Sequence, residues 1–271
     1  RTTEEKKTVN LYEKQMLDIL SRARADYGVV AVKAEFEAEG TRVDELLRLL
    51  EIARKAGVKV GIKIGGCEAI RDLIECRLYG ADYIIAPMVE TPYALGKFVA
   101  AKDKFYPKDE QADVGFLFNV ETRKTYDELE ELGNVARAGG VGMVFGRVDF
   151  AGSMGRQRDF VNSDEMISYV CDVAEVAKKH NLDLVVGGGV SAESIEPLRK
   201  VRQIRLDRFE TRKVIFDAAV LDGNDAARGV ELAVEFELLW LKNKRDYYRT
   251  IAAEDEQRIT MMEKRQNAKA S

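Results

Sequence analysis

Two carboxylates, Glu121 and Asp149, follow two consecutive apolar runs of the chain. Glu121 ends the run VGFLFNVE at 114–121, and Asp149 lies three residues beyond the run VGMVFG at 141–146. If these runs form adjacent parallel strands, the carboxylates reach the same sheet edge on strands roughly 5 Å apart. Two carboxylates that close repel each other unless a proton or a cation lies between them. A hard divalent ion such as Mg²⁺ accepts oxygen ligands of this kind, so the pair is a candidate metal site.

The same two carboxylates could instead serve the fold. Glu121 and Asp149 could cap helices or form salt bridges at the rim with Arg123 or Arg147, which lie close to them in the chain. Their spacing alone does not decide between a metal site and these structural roles.

The elements that would position these side chains alternate in kind. Short runs rich in β-branched residues predict buried strands, and longer segments with helical spacing lie between most of them. The predicted strands are 29–36, 59–65, 83–89, 114–121, 141–146, 182–188 and 204–210. Such alternation predicts right-handed parallel units with a covered sheet. We therefore expect an α/β fold, a TIM-like (β/α)8 barrel, whose eighth strand is absent from the pattern or irregular.

Composition limits the function classes. The 271 residues suit one barrel domain over 1–271, and a formal charge of −4 argues against a nucleic-acid surface. No apolar run is long enough for a membrane span, and the first residues do not form a signal peptide. Three cysteines without a CxxC pair favour a reducing compartment, so we expect a cytoplasmic protein. A single histidine, His180, excludes a Ser–His–Asp triad and a two-histidine metal site.

The segment 225–271 is predicted to be a helical extension of the barrel. Its second half is rich in charge, and Ile251, Met261 and Met262 are widely spaced along it. We expect this half to pack on another subunit of a homo-oligomer, and a frayed tail is the alternative.

Polar residues stand where each predicted strand ends, which is where barrels of this kind carry their chemistry. Besides Glu121 and Asp149 these ends hold Lys33, Glu35, Lys63, Gly65, Gly66, Glu90, Asn119, Arg147, Gly187, Glu210, Arg212 and Lys213. The stretch RFETRK at 208–213 places three cations and one carboxylate at the last strand end. It suits either structural salt bridges or contact with an anionic substrate.

Three stretches resemble successive blocks of the HpcH/HpaI aldolase and citrate lyase β-subunit superfamily. They are GADYIIAPMVET, LFNVETRKTYDELEEL and VGMVFGRVDFAGSMG, and the resemblance covers about residues 28–160. It implies a barrel that acts on pyruvate, oxaloacetate or related acyl units. Glu121 and Asp149 match the family's metal-binding glutamate and aspartate. Carbon–carbon bonds would then be cleaved or formed through an enolate that the metal ion stabilises.

The chain departs from that family at three positions. Lys63 stands where aldolases of the family usually have arginine, and it would neutralise an anion as a point charge. No histidine follows the first strand, because Phe36 or Glu37 lies near that position. Glu35 resembles the family's acidic residue there and could transfer protons if burial raised its pKa. Arg147 replaces a common proline, and it could bind a phosphate or second carboxylate or form a rim ion pair.

We predict a carbon–carbon lyase or aldolase, or the reverse condensation, that depends on Mg²⁺ or Mn²⁺ and acts on a pyruvate- or oxaloacetate-like 2-keto acid. The predicted site comprises catalytic Glu35, Lys63 and Arg147, substrate-binding Lys63, Gly65, Gly66, Arg147 and Arg212, and metal-binding Glu121 and Asp149. One alternative is a lyase or transferase for a phosphorylated or CoA-linked substrate. Another is a non-catalytic ligand-binding barrel that has lost its base.

Overall fold

Eight strands pair in chain order and close into a barrel in a computed structural model that describes residues 10–270. The strands are β1 Val29–Glu35, β2 Lys59–Lys63, β3 Tyr83–Ala86, β4 Gly115–Val120, β5 Gly142–Gly146, β6 Leu184–Gly187, β7 Arg208–Glu210 and β8 Val214–Asp217. The predicted TIM-like barrel is confirmed, and the strand that the sequence pattern lacked is β8.

Helices cover the outside of the barrel. They are α1 Leu11–Asp26, α2 Val43–Ala56, α3 Ile70–Tyr79, α4 Pro92–Phe105, α5 Lys108–Gln111, α6 Arg123–Asp127, α7 Leu129–Gly139, α8 Arg147–Ser153, α9 Asp164–His180, α10 Ile195–Arg202 and α11 Ala226–Ala270. Short 3₁₀ turns occupy Arg158–Asn162, Ala192–Ser194 and Ala218–Asp222. Within residues 10–270, no helix combines the length and the apolar character that crossing a bilayer would require.

The barrel interior is apolar in its lower part and charged at its mouth. Alternate strand residues point inward, and those of the lower part form one cluster: Ala31, Tyr83, Ile85, Leu117, Val144, Val185 and Ile215. The next inward positions toward the ends of the parallel strands include Lys33 and Lys63, which are buried. Because side chains alternate along each strand, the inward-facing charged residues at the mouth lie directly above the apolar cluster.

Strand β8 runs against its neighbours. The neighbouring pairs from β1 to β7 are parallel, whereas β8 is antiparallel to both β7 and β1. A tight turn joins β7 to β8, in which the Thr211 N–H donates to the Val214 carbonyl oxygen at 2.9 Å. This turn lies at the mouth, because β7 ends there.

The reversal of β8 sets the direction of α11. The chain leaves β8 at the end opposite the mouth, and α11 runs back along α1, where Asn10 and Asn243 hydrogen-bond at 2.7 Å. The helix then passes the start of α2, where the Tyr248 hydroxyl donates to Glu45 at 2.5 Å. From residue 249 to residue 268 every side chain of α11 is exposed, so this part, here called the arm, projects beyond the mouth.

Candidate active site

The mouth holds buried side chains of both charges. Lys33 and Glu35 come from β1, Lys63 ends β2, Glu121 follows β4 and Glu210 ends β7; all are less than 9% exposed. Buried charges need partners, since an isolated ion in the protein interior is costly. Here each cation lies beside a carboxylate, and the pairs cross from strand to strand.

Glu121 is held on both oxygens. Its Oε1 accepts a hydrogen bond from the Met88 N–H at 2.8 Å, and its Oε2 accepts one from the Asn119 amide at 2.6 Å. Met88 adopts a left-handed backbone conformation, with φ at 51°, which costs a non-glycine residue on the order of 1 kcal/mol. The strained turn after β3 thus presents its N–H to a carboxylate that is 1% exposed.

Burial raises the pKa of Glu121, although Lys63 and the two hydrogen bonds act against that rise. The negative charge of Asp149 raises the pKa of Glu121 further, as expected between two groups of like charge. Gly146 leaves room for the Glu121 side chain, because a Cβ there would lie 3.0 Å from Glu121 Oε2. Glu121 and Asp149 follow the mouth ends of two paired strands, β4 and β5.

The alternative structural roles of the two carboxylates are wrong. Arg123 pairs with Asp127 at 2.8 Å, and Thr122 rather than Glu121 caps α6. Asp149 lies exposed in the first turn of α8, and within the described part of the chain it forms no ion pair with either Arg123 or Arg147.

The donors present at the mouth suit a small hard cation. Glu121 and Asp149 offer carboxylate oxygens, and the buried Asn119 Oδ1 beside them has no hydrogen-bond partner. Among residues 10–270 no group of three or more histidine, cysteine or acidic side chains could hold an ion by itself. Mg²⁺ fits such a site, because it is commonly bound by one or two carboxylates and completed by water and substrate.

Lys63 lies beside this pair. Its Nζ is 3.7 Å from Glu121 and 3.2 Å from Glu37, and the side chain is almost fully buried. Burial alone would lower the pKa of Lys63, but Glu121, Glu37 and Glu35 together raise it above its ordinary value. The group is therefore a permanent cation at neutral pH, placed where it was predicted to neutralise a substrate anion.

The two glycines after β2 differ. The Gly65 N–H donates to Asp72 at 2.6 Å, so this group is already engaged and the predicted contact between it and a substrate is not supported. Gly66 faces open space, since a Cβ there would meet nothing within 4 Å.

Glu35 lies in the predicted place but has a different acidity. Burial alone would raise its pKa, but Lys33 at 3.3 Å, Lys63 and Arg212 outweigh burial and hold the pKa below the ordinary value. The expectation of a raised pKa is therefore wrong. Glu35 is a carboxylate at neutral pH, and it can accept a proton but holds none to donate.

Arg147 is part of the scaffold. Its side chain is fully buried, and it donates to the carbonyl oxygens of Gly187 at 3.1 Å and Val161 at 3.2 Å and to Asn162 at 2.9 Å. Burial lowers its pKa to about 10. The expected rim ion pair is wrong, because no carboxylate of residues 10–270 forms a salt bridge with it. A buried guanidinium that is committed to backbone carbonyls offers a substrate no free surface, so the catalytic prediction is not supported.

Arg212 is exposed in the turn between β7 and β8. Its guanidinium is 3.9 Å from Glu35 and 3.8 Å from Glu39, which are long ion pairs. Lys213 beside it is buried and pairs with Glu39. RFETRK therefore combines a structural cation, Lys213, with an accessible one, Arg212.

Three residues of the mouth were absent from the predicted site. Glu210 pairs with Lys33, Asn119 orients Glu121, and Glu37 covers Lys63. Side chains alternate between the inside and the outside of the barrel along β4 and β7. This alternation could have indicated Asn119 and Glu210 as inward-facing, because each directly follows an outward-facing apolar residue. Glu37 continues the alternation of Lys33 and Glu35, but it lies beyond the end of β1, in a loop whose path the sequence does not indicate.

A closed α/β barrel with buried charged residues at the ends of its strands is the architecture of TIM-barrel enzymes. The family model of HpcH/HpaI aldolase/citrate lyase matches residues 9–205, and the chain belongs to that family. The family comprises lyase-type enzymes that generally depend on a divalent metal. The match ends before β7, so the reversed strand and α11 lie outside it. No curated protein matches the sequence significantly.

Solved structures share the fold at low identity. A family protein from Burkholderia cenocepacia has 16% identity and a TM-score of 0.58, with 72% of this chain and 83% of that chain covered. An aldolase from Desulfitobacterium hafniense has 16% identity and a TM-score of 0.57, with 82% and 88% covered. A citrate synthase variant, SbnG, has 17% identity and a TM-score of 0.52, with 72% and 81% covered. At these identities the likeness concerns the fold alone.

Proposed function

We propose that the chain is a Mg²⁺-dependent carbon–carbon lyase, working in cleavage or condensation on a pyruvate- or oxaloacetate-like 2-keto acid. The proposal is supported by the 3.7 Å between Lys63 Nζ and Glu121, and by the position of Asp149 directly after β5, the strand next to β4. Two carboxylates suit the ion, and a buried cation beside them suits the acid group of the substrate. Mn²⁺ would satisfy the same oxygen donors.

Each side chain has a distinct part. Glu121 and Asp149 would hold the ion, which supplies Lewis-acid stabilisation of an enolate oxygen. Lys63 binds the substrate carboxylate from within the barrel, where burial strengthens its charge interaction. Glu35 lies within the electrostatic reach of Lys63 and, being ionised, can accept the proton that is released when an enolate forms. Gly66 leaves open space for the ligand beside Lys63.

The test replaces the two metal ligands separately. Glu121→Gln and Asp149→Asn are expected to lose Mn²⁺ binding, measured by calorimetry, and to slow exchange of the methyl protons of pyruvate at least about 100-fold. Glu90→Gln removes an exposed carboxylate at the end of the neighbouring strand and serves as the matched control. Unchanged exchange in Glu121→Gln would refute the proposal.

A second candidate is a lyase or transferase that acts on a phosphorylated or CoA-linked substrate. The exposed Arg212, with only long ion pairs, favours a further anionic group at the mouth. An active metal-bound protein that leaves the methyl protons of pyruvate unexchanged would support this candidate. Tight binding of keto acids without turnover would instead support a non-catalytic barrel.

We also propose that the arm of α11 packs on a second copy of the chain in a homo-oligomer. Ile251, Ile259 and Met262 are exposed on it. At 100° per residue they fall on the side of the helix that carries the buried Ala233 and Trp240 nearer the barrel. Apolar residues thus recur on this face past the point where its own barrel ends, although Asp255 and Arg258 lie between them.

A further inference from the structure

Lys63 is already neutralised by the protein. Among the described residues, two carboxylates lie within 4 Å of its Nζ: Glu37 at 3.2 Å and Glu121 at 3.7 Å. A substrate carboxylate that binds Lys63 therefore meets a cation whose charge is satisfied, and one of the two carboxylates has to give way.

The two carboxylates are held very differently. Glu121 is 1% exposed and accepts hydrogen bonds from the Met88 N–H and the Asn119 amide on separate oxygens. Glu37 lies in the loop after β1, and its side chain is 29% exposed. Of residues 10–270, apart from Lys63, only the adjacent Ala38 donates to it, through its N–H at 2.8 Å. Glu37 can regain water when it leaves Lys63, whereas Glu121 cannot.

The loop that carries Glu37 is fixed at both ends, so the side chain is presented to Lys63 again after each release. The Phe36 N–H donates to the Lys63 carbonyl oxygen at 2.8 Å, and the Thr41 N–H donates to the Glu35 carbonyl oxygen at 3.1 Å. Exchange at Lys63 therefore requires only a side-chain rotation of Glu37.

We infer that Glu37 competes with the substrate carboxylate for Lys63 and so sets the affinity of the site for anionic ligands. The inference rests on the proposed function, because it takes Lys63 as the group that binds the substrate anion. A ligand without an acid group has nothing to exchange for Glu37. Glu37 thus lowers the affinity of the site for acids and leaves that for neutral carbonyl compounds unchanged, so it determines how strongly the site prefers acids.

The test measures binding of oxalate, a planar analogue of the pyruvate enolate, by calorimetry in the presence of Mg²⁺. Removal of a partly exposed competing carboxylate in Glu37→Gln is expected to lower the Kd roughly two- to fivefold. Glu68→Gln is the matched control, because Glu68 follows the end of β2 and pairs with Lys97 instead of Lys63. Its Kd should equal that of the wild type.

A double-mutant cycle locates the effect. In a Lys63→Met background, Glu37→Gln should no longer change the affinity for oxalate. Three results would overturn the inference and leave the proposed function standing. They are an equal Kd for oxalate in wild type and Glu37→Gln, an equal gain in affinity in Glu68→Gln, and a gain in affinity that persists in the Lys63→Met background. If the wild type and Glu37→Gln both fail to bind oxalate, the proposed function falls and the inference falls with it.

Discussion

At the scale of residues, Arg147 shows how a charged side chain beside a site can belong to the scaffold. It lies two positions before Asp149, yet its guanidinium turns inward and donates to the last residue of β6 and to the 3₁₀ turn after α8. Because these acceptors are buried carbonyls, removal of the arginine leaves them without donors, and each such loss costs free energy.

Arg147→Met is therefore expected to lower the free energy of unfolding by about 2–4 kcal/mol. The measurement is denaturant unfolding, with Arg137→Met as the control, because Arg137 is exposed. We expect the folded fraction of Arg147→Met to keep its metal affinity. Loss of turnover at wild-type stability would instead restore the catalytic role that the sequence suggested.

The acidity of Glu35 depends on neighbours that the sequence indicates only in part. Lys33 is two positions earlier in the same strand, and alternation places both side chains on one face. Arg212 and Lys63 come from other strand ends and reach Glu35 only in the closed barrel. Burial was correctly expected, but the sign of the pKa shift depends on charges from distant segments. The direction of a pKa therefore followed from the fold rather than from the local sequence.

At the scale of elements, glycines in the strands make room for the charged layer. A Cβ at Gly187 would lie 2.9 Å from Glu210 Cγ and 3.0 Å from its Oε1, so Glu210 occupies the space that a side chain on β6 would fill. Glu210 in turn pairs with Lys33 on the far side of the reversed strand.

Gly187→Ala is accordingly expected to destabilise the barrel by about 1–3 kcal/mol, because Glu210 has to move away from a buried cation. Gly152→Ala is the matched control, since Gly152 is helical and a Cβ there meets nothing within 4 Å. That control should stabilise the protein by about 0.5–1 kcal/mol. Thermal unfolding compares the two, and equal melting temperatures would contradict the crowding argument.

Seven strands were predictable from periodicity, because apolar runs and helical spacing repeat along the chain. The same repeat predicted that β4 and β5 are neighbours. The eighth strand was not. Val214–Asp217 is only four residues long, and Thr211, Arg212 and Lys213 contain no glycine or proline to indicate a hairpin. A reversed strand also breaks the strand–helix alternation on which the sequence argument rested.

At the scale of the whole molecule, the arm of α11 exposes every side chain from residue 249 to residue 268. Replacement of Ile251 and Ile259 by glutamate should reduce the assembly to a smaller species in sedimentation velocity, because charge on the apolar face opposes burial. The control adds the same charge on the opposite face through Gln257→Glu and Thr260→Glu. A wild-type protein that sediments as a single chain would contradict the proposed oligomer.

The antiparallel direction of β8 also determines toward which end of the barrel α11 runs. Had β8 been parallel to its neighbours, the following helix would have run down the flank, away from the catalytic opening. Because it runs upward instead, a fluorophore attached to the later turns of α11 would stand on the side where ligands enter. The same geometry suits immobilisation through those turns for single-molecule work, provided that the tether is long enough to leave the entrance clear.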